Sequence, residues 1–462
     1  MPEHPRFAGY QHSLWWSTVP PQEPRPALTE QIEADITIVG SGFSGMWTAY
    51  YLKKLNPDAH VVIIEAEVAG AGASSRNGGW ASALLPVSWD TLAAQYGREA
   101  TIAYQLAADQ NLVDIRAVLR AEGIDADLAA DGYLRVATDQ AQLTKLRAEL
   151  EEARSWERTE ADATWLNAEE TRARINGPDF LGGIFMPHCM AINPAKLVRG
   201  LAAAVERSGV RIYEQSFVTS VRDGVVHTDQ GRVDSGLVVI AVEGYAAQLE
   251  GFRRTRLPVH STMIATDQLP ADLWAELGWE KRSTINDLRR HLFYAQRTVD
   301  GRIAFGGRGA PYKFASRVEL GRGDAIDVSR HVEDVMHEVF PVLKGVEVTH
   351  RWSGVLGVPR DWTPSVHVNR AEKVAMIGGY GGDGVALTHL AGRTLAHLIT
   401  GVDSPLTRLP IVGHHSPAWE PEPLRVMGVR LSERLARRAD EVERHTGKPS
   451  LAGKVFARIS GQ

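Results

Sequence analysis

The sequence predicts an α/β fold joined to an α+β region, and three observations predict it. A strand, glycine turn, helix and second strand follow one another at residues 34–66. A second strand–glycine turn–helix unit occupies residues 373–401. Between them, alternating apolar and polar runs bounded by Gly and Asp turns mark antiparallel strands. With 462 residues, 44% hydrophobic and 23% charged, the chain is folded and too long for one ordinary core, so two or more domains share it.

Taken in order, the first 30 residues read as an irregular arm. Its prolines argue against a helix, while Trp15 and Trp16 are too apolar to stay in water and dock on the body. No apolar stretch of seven residues occurs there, so the arm is neither signal peptide nor anchor. ADITIV (34–39) is a buried strand, GMWTAYYLKKL a helix, and HVVIIEA a second strand closing on an acid. Helical spacing returns at 98–122 and stops at Gly123; GYLRVAT reads as a strand and residues 139–156 as a charged helix. The helix AKLVRGLAAAVERSG precedes short strands VRIYEQ, FVTSVRDG, VVHTD and LVVIAV. HLFYAQRT and RIAFGG flank Asp300-Gly301, a hairpin signature.

A net charge of −5 and the absence of any run of five like charges leave no electrostatic footprint for nucleic acid or an anionic membrane. Cys189 is the only cysteine and no Cys/His cluster has metal-ligand spacing, which excludes an intrachain disulfide and argues for a reducing, cytoplasmic setting without structural metal. The amphipathic tail from 426 onward, RLSERLARRADEVERH, reads either as a solvated helix packed on the body or as a membrane or nucleic-acid surface; its interspersed acids favour the first.

Gly40, Gly42 and Gly45 form G-x-G-x-x-G between a strand and a helix. In that setting the glycines allow the turn, the approach of a pyrophosphate and close helix–strand packing, and the helix N-terminus receives negative charge. Glu65, ~20 residues on, stands where a carboxylate accepts hydrogen bonds from a ribose. The alternative is a glycine turn of another α/β protein with a surface glutamate. Gly379, Gly381 and Gly384 repeat the pattern without a following strand ending in an acid. They read as a helix N-terminus aimed at another part of the same cofactor, which leaves no evident NAD(P)H site. GASSRNGGW (72–80) then lies at the carboxyl end of the same sheet, bare enough for a flat ring to approach, with Ser74, Ser75 and Asn77 offering hydrogen bonds. A flexible surface loop is the competing reading.

ADITIVGSGFSG, VVIIEA, GASSRNGG, NPAKLVRGLAAAVERSGV, DGRIAFGGRG and GGYGGDGVALTHLAGR together resemble the D-amino-acid oxidase-type (DAO) flavoproteins, in their γ-glutamylputrescine oxidase-like branch. The resemblance runs over nearly the whole chain. It implies a Rossmann-like FAD-binding domain, of the glutathione-reductase type, interleaved with an antiparallel-sheet substrate domain. The implied segments are 1–30 as arm; 31–99, 181–250 and 346–401 for FAD; 100–180 and 251–345 for substrate; and 402–462 as a helical extension. It implies FAD contacts from Gly40, Ser41, Gly42, Phe43, Ser44, Gly45, Glu65 and Ala66. The loop Gly72, Ala73, Ser74, Ser75, Arg76, Asn77, Gly78 and Gly79 would border flavin and pyrophosphate. Val218 would meet the adenine, and Gly381, Gly382, Asp383, Gly384 and Val385 the flavin pyrimidine. Relatives with covalent flavin use a Cys in the last glycine loop or a His before the stretch matching SSRNGG; this chain has neither, so its FAD is expected to be non-covalent. Asp383 stands where sarcosine oxidase-like relatives carry His.

The implied chemistry is oxidation of an amine or amino-acid C–N bond to an imine, which hydrolyses to carbonyl plus amine, with O2 reduced to hydrogen peroxide. No catalytic side chain is named. Trp80, Tyr294, Arg308, Tyr380 and Asp383 are the substrate-facing candidates, and plainer roles stand beside several of them: packing for Trp80, a solvated turn for Arg308, a helix cap rather than a hold on a cationic amine for Asp383, with Tyr380 open in the same way as Asp383. Two other readings stay open, a dehydrogenase passing electrons to a protein or quinone, and a non-catalytic FAD-binding subunit.

Overall fold

The computed structural model describes residues 12–308, 312–318 and 322–460, without the side chains of residues 308 and 322–326. Its first sheet runs Ser365–Asn369, Val374–Gly378, Arg232–Ile240, Gln31–Val39, Val61–Ile64, Arg211–Tyr213, with the hairpin Val218–Arg222 and Val225–Thr228 attached to Arg232–Ile240. The strands from Val374–Gly378 to Arg211–Tyr213 are mutually parallel. Parallel strands need cover on both faces, and VVII at 61–64 is buried throughout. Alternation divides that cover: Ile36, Ile38, Val61 and Ile63 pack beneath the helices Phe43–Leu55, Arg98–Glu122, Pro194–Arg207 and Gly384–Thr400. Val39, Val62 and Ile64 face the opposite way, toward Val218, Val226 and Leu28.

The second sheet runs Val348–Val358, Leu257–Thr266, Ile303–Arg308, Phe293–Arg297, Thr284–Asn286, Tyr133–Ala137, Gly182–Met186, Thr164–Asn167. It is antiparallel except where Thr284–Asn286 meets Tyr133–Ala137. Its core centres on the stacked pair Phe293–Phe305 and on Trp279 and Phe340. A two-stranded ribbon, Trp80–Ser82 with Cys189–Ala191, stands apart from both sheets.

Several expectations need adjustment. Leu14–Ser17 is a turn of helix despite the prolines of the arm, because the nearest ones lie outside it and the Ser13 side chain caps it, accepting from the Trp16 amide. Trp15 docks as expected, at 2% exposure, whereas Trp16 is only partly covered and lies beneath the Arg199 guanidinium. Gly182–Met186 and Val348–Val358 pair in the second sheet, although the segments containing them are expected in the FAD-binding region; Val348–Val358 pairs with the distant Leu257–Thr266, and Gly182–Met186 lies between Tyr133–Ala137 and Thr164–Asn167, a choice of sheet that has no local signal. The tail packs on the body through Leu424–Thr446, where Arg290 binds Asp440 and Glu443, and Lys145 also reaches Glu443. Among the described residues no helix is long and apolar enough to cross a membrane.

Candidate functional site

The glycine turn behaves as its spacing requires. Gly40 adopts φ +101°, and a Cβ on Gly45 would lie 2.0 Å from the Gly40 carbonyl oxygen. Only a bare backbone lets the helix start this close to the strand. Gly42 caps that helix without any side chain, so its first amides are left for a ligand or for a neighbour. One neighbour is present: the Phe43 amide donates to Ser74 Oγ at 2.8 Å. The fingerprint and the loop 72–79 are therefore one structure.

Glu65 follows the second strand, and its Oε2 accepts from the Ser41 amide at 2.8 Å and the Ser41 hydroxyl at 2.6 Å. Burial raises its pKa, opposed by these hydrogen bonds. Ser41 thus orients the acid from behind, while Glu65 and Ala66 line a cavity shared with Gly40, Gly42, Phe43, Ser44, Gly72, Ala73, Ser74 and Asn77. Val218 lines its far end, and Tyr380, Gly382, Gly384 and Val385 close it from the other side.

The loop itself is held from outside by its carbonyls. Ser13 Oγ donates to Ser75, Trp352 Nε1 to Arg76, Trp15 Nε1 to Asn77, and Gln296 Nε2 to both Gly78 and Gly79, at 2.7–3.3 Å. A trans peptide carries its N–H opposite its C=O, so propping the carbonyls aims the successive amides away from the props. Three separate parts of the chain do this holding, the N-terminal arm among them, and none is visible in GASSRNGG. The Asn77 side chain bonds back within the loop, to the Ala73 and Ser74 carbonyls and the Gly79 amide.

Not every expected contact reaches the cavity. Gly45 serves helix packing. Ser75 is fully buried and donates to the Gly70 carbonyl. Arg76 turns to the Gly72 carbonyl and the Tyr245 hydroxyl, which makes it a brace. Gly78, Gly79, Gly381 and Asp383 are outside the lining. Asp383 sits half-buried at the N-cap position of Gly384–Thr400 without a side-chain capping bond, against the expected cap; its φ of −95° and ψ of 28° depart from the extended backbone of an ordinary cap. Sequence reasoning missed Tyr245, Leu249, Val355, Leu356 and Thr388 on the wall, since single residues within a strand, a turn or a helix carry no individual mark of a ligand.

Of the substrate-facing candidates, Trp80 and Tyr294 come together at 6.2 Å between ring centroids, and Tyr133 joins them 5.5 Å from Trp80. The Tyr294 hydroxyl pairs with Ser261, and its ring is so close to Gly78 that a Cβ there would approach within 2.7 Å. Tyr380 stands apart, buried over the fingerprint, its hydroxyl 2.9 Å from Ser44 Oγ and its pKa driven up by burial. Arg308 ends the strand Ile303–Arg308, opposite Ser261; its side chain lies outside the described residues. Cys189 is fully buried against Thr284, its thiol pushed up to about 12 by burial, an inert small side chain. Among the described residues no group of three or more His, Cys, Asp or Glu could hold a metal.

A parallel sheet whose glycine turn opens a helix beside a cavity defines the architecture of a dinucleotide-binding protein. Comparison with known proteins agrees. The model of the DAO family, described as FAD dependent oxidoreductase, matches residues 35–398. The chain is 30% identical to the γ-glutamylputrescine oxidoreductase of Escherichia coli over 82% of its length and 86% of that protein's. It is 28% identical to a probable oxidoreductase, OrdL, of Rhizobium meliloti over 88% and 92%. Among solved structures, the glycine oxidase of Bacillus cereus superposes with a TM-score of 0.66 at 21% identity, covering 82% of this chain and 98% of that one. This chain belongs to the DAO family of FAD-dependent oxidoreductases, and its cofactor is FAD.

The residues present fit that cofactor. Glu65 is preset for a ribose, the uncapped helix end and Ser44 suit a pyrophosphate, and the wall from Val355 to Tyr380 suits a flat ring.

Proposed function

We propose that the chain oxidises the C–N bond of an amine or amino acid to an imine, with molecular oxygen as acceptor and hydrogen peroxide as product. The observation that carries this reading is the junction at residues 77–80, where the loop bordering the cofactor cavity runs straight into the aromatic cluster Trp80, Tyr133 and Tyr294. Bound FAD supplies the two-electron acceptor. The chain's own residues bind, orient and exclude water. Glu65, held by Ser41, takes the ribose hydroxyls; the amides opening the helix Phe43–Leu55 take the pyrophosphate; Val218 lies at the adenine end; and Gly382, Gly384 and Val385 flank the ring. Trp80, Tyr133 and Tyr294 give the reacting carbon an apolar wall. An ammonium resists oxidation at its neighbouring carbon, so the amine reacts neutral. Tyr380, raised by burial, keeps its proton and acts as a strut on Ser44.

Relatives named for γ-glutamylputrescine and for sarcosine, both amines, support the substrate class. FAD is held non-covalently, since no Cys or His stands at the attachment positions of covalent relatives and Cys189 is buried against Thr284. The lone cysteine supports a cytoplasmic setting.

The test is an anaerobic titration of the yellow protein with a panel of primary and secondary amines, followed by admission of air. Bleaching of the flavin band that air reverses with peroxide release supports the proposal. Bleaching that air leaves in place points to a protein or quinone acceptor, and no bleaching by any amine overturns amine oxidation.

A further inference from the structure

The longest described helix, Arg98–Glu122, packs beneath the first sheet and is fixed from its inner side. Tyr104, Ala108, Leu112, Ile115 and Leu119 are buried there, Asn111 Nδ2 donates to the Ala386 carbonyl at 2.8 Å, and Gln105 Nε2 donates to the Ala83 carbonyl at 3.1 Å. The direction of the helix and the face it turns outward are therefore set by the fold.

Between residues 99 and 120 the exposed positions follow one another in alternate steps of four and three: Glu99 and Arg120 at the ends, with Ala103, Leu106, Gln110, Val113 and Ala117 between them. The outermost line of a surface helix is ordinarily charged. Here its whole middle carries no charge, and Leu106 and Val113 are 57% and 54% exposed. The acids beside the line are already bound within the chain, Asp109 to Arg158 and Asp114 to Arg393, and Gln110 donates along its own helix to Asp114. Glu99, Arg116 and Arg120 have no ion-pair partner among the described residues.

Alternate steps of four and three are the spacing along which two helices interlock. Read from its two ends, the line matches in size and reverses in charge: Glu99 mirrors Arg120, Ala103 mirrors Ala117, Leu106 mirrors Val113, and Gln110 lies at the centre. A second copy related by a two-fold axis through Gln110 sets acid on base, small on small and Leu on Val, with every contact made twice. Parallel pairing instead sets Glu99 on Glu99 and Arg120 on Arg120. The helix dipole accounts for the signs at the two ends, but not for the missing charge between them, where apolar surface meets water. We propose that this line is a self-association seam, through which two copies of the chain pair by antiparallel Arg98–Glu122 helices.

The test is sedimentation of the flavin-loaded protein over a concentration series, each variant being checked for an unchanged flavin spectrum. The wild type is expected at the mass of two chains at concentrations on the order of 10 µM, the weak end of specific interfaces. Leu106→Asp, which the axis places twice in the interface, weakens pairing by roughly a hundredfold. Glu99→Arg and Arg120→Glu each weaken it by roughly tenfold alone, and an equimolar mixture of the two restores it, because opposite charges again meet at both ends. Gln110→Cys reads the axis directly, since the native Cys189 is the only cysteine and is fully buried. Oxidation of two such thiols by added diamide joins the copies through a disulfide. Arg120→Cys stays unjoined, because antiparallel pairing holds its two copies ~30 Å apart along the helix. A wild type that remains a single chain, pairs that Leu106→Asp leaves as strong as before, mixed charge variants no stronger than either alone, or joining of Arg120→Cys as readily as Gln110→Cys overturns the seam.

Discussion

The two sides of the site are finished to different degrees. On the cofactor side the polar groups already have protein partners: Glu65 has Ser41, Ser74 has the Phe43 amide, Tyr380 has Ser44, and Glu243 takes the Gly379 amide. On the side of the second sheet and its ribbon, Trp80 Nε1, Asn286 Oδ1 and Gln296 Oε1 are buried without one among the described residues. A cradle for an invariant cofactor is best preorganised, so that binding costs little rearrangement. A pocket that must prefer one substrate is sharpened by groups that only that substrate completes. On the reading proposed above, the contrast sets a preorganised cofactor site against a substrate side that its ligand completes.

That contrast can be broken or sharpened at four places. Gly45→Val has the largest expected effect, since its side chain would drive into the Gly40 carbonyl with no room to move. Flavin retention, read as the ratio of visible to protein absorbance, should fall to near zero. A variant that keeps its flavin would show that the cradle is not preset. Gln296→Leu comes next, because Gln296 Nε2 donates to Gly78, Gly79 and Ile192 carbonyls and is the clasp between the second sheet and the loop. Its loss should cost about 3 kcal/mol in denaturant unfolding.

His389 supplies the third. It is wholly buried, pairs with Tyr51 and Asn111, and joins three helices beneath the first sheet. Burial, aided by the Arg393 charge, lowers its pKa to about 3. The folded state thus favours neutral imidazole while the unfolded chain protonates near 6.5. Its stabilisation is complete above pH 6.5 and is lost as pH falls toward 3, by about 2 kcal/mol at pH 5. Unfolding curves of wild type and His389→Gln should accordingly converge on acidification through that window; parallel curves would remove His389 as the cause. The smallest effect is Trp15→Phe, which keeps the packing and deletes the bond to the Asn77 carbonyl. A loss of about 1 kcal/mol, with somewhat faster flavin release, would confirm that the arm props the loop.

These residues also show how much was legible beforehand. Gly40, Gly42 and Gly45 could be read because a tight turn and a close helix each constrain a residue type at a fixed local spacing. GASSRNGG could be recognised as bare but not as propped, because its supports come from positions as far apart as Ser13, Gln296 and Trp352. Trp80 and Tyr294 were nominated from their places beside a loop and a hairpin, whereas Tyr133, which joins them, lay unmarked within an ordinary strand pattern. Asp383 was misjudged as a capping side chain because composition reports the residue at a helix start and says nothing of the φ and ψ that aim it.

The sequence by itself determined the strand–turn–helix units, the single dinucleotide fingerprint and, through its glycine loops, the flavoenzyme family. The units and the fingerprint are consequences of backbone sterics and periodicity, which act over a few residues; the family came from the resemblance that the glycine loops carry. Only the tertiary structure decided that Ser41 orients Glu65, that Gly182–Met186 and Val348–Val358 belong to the second sheet, and that Trp80, Tyr133 and Tyr294 come together. Such neighbours lie across turns and between distant segments, and their meeting is set by how whole layers pack, which no local pattern encodes.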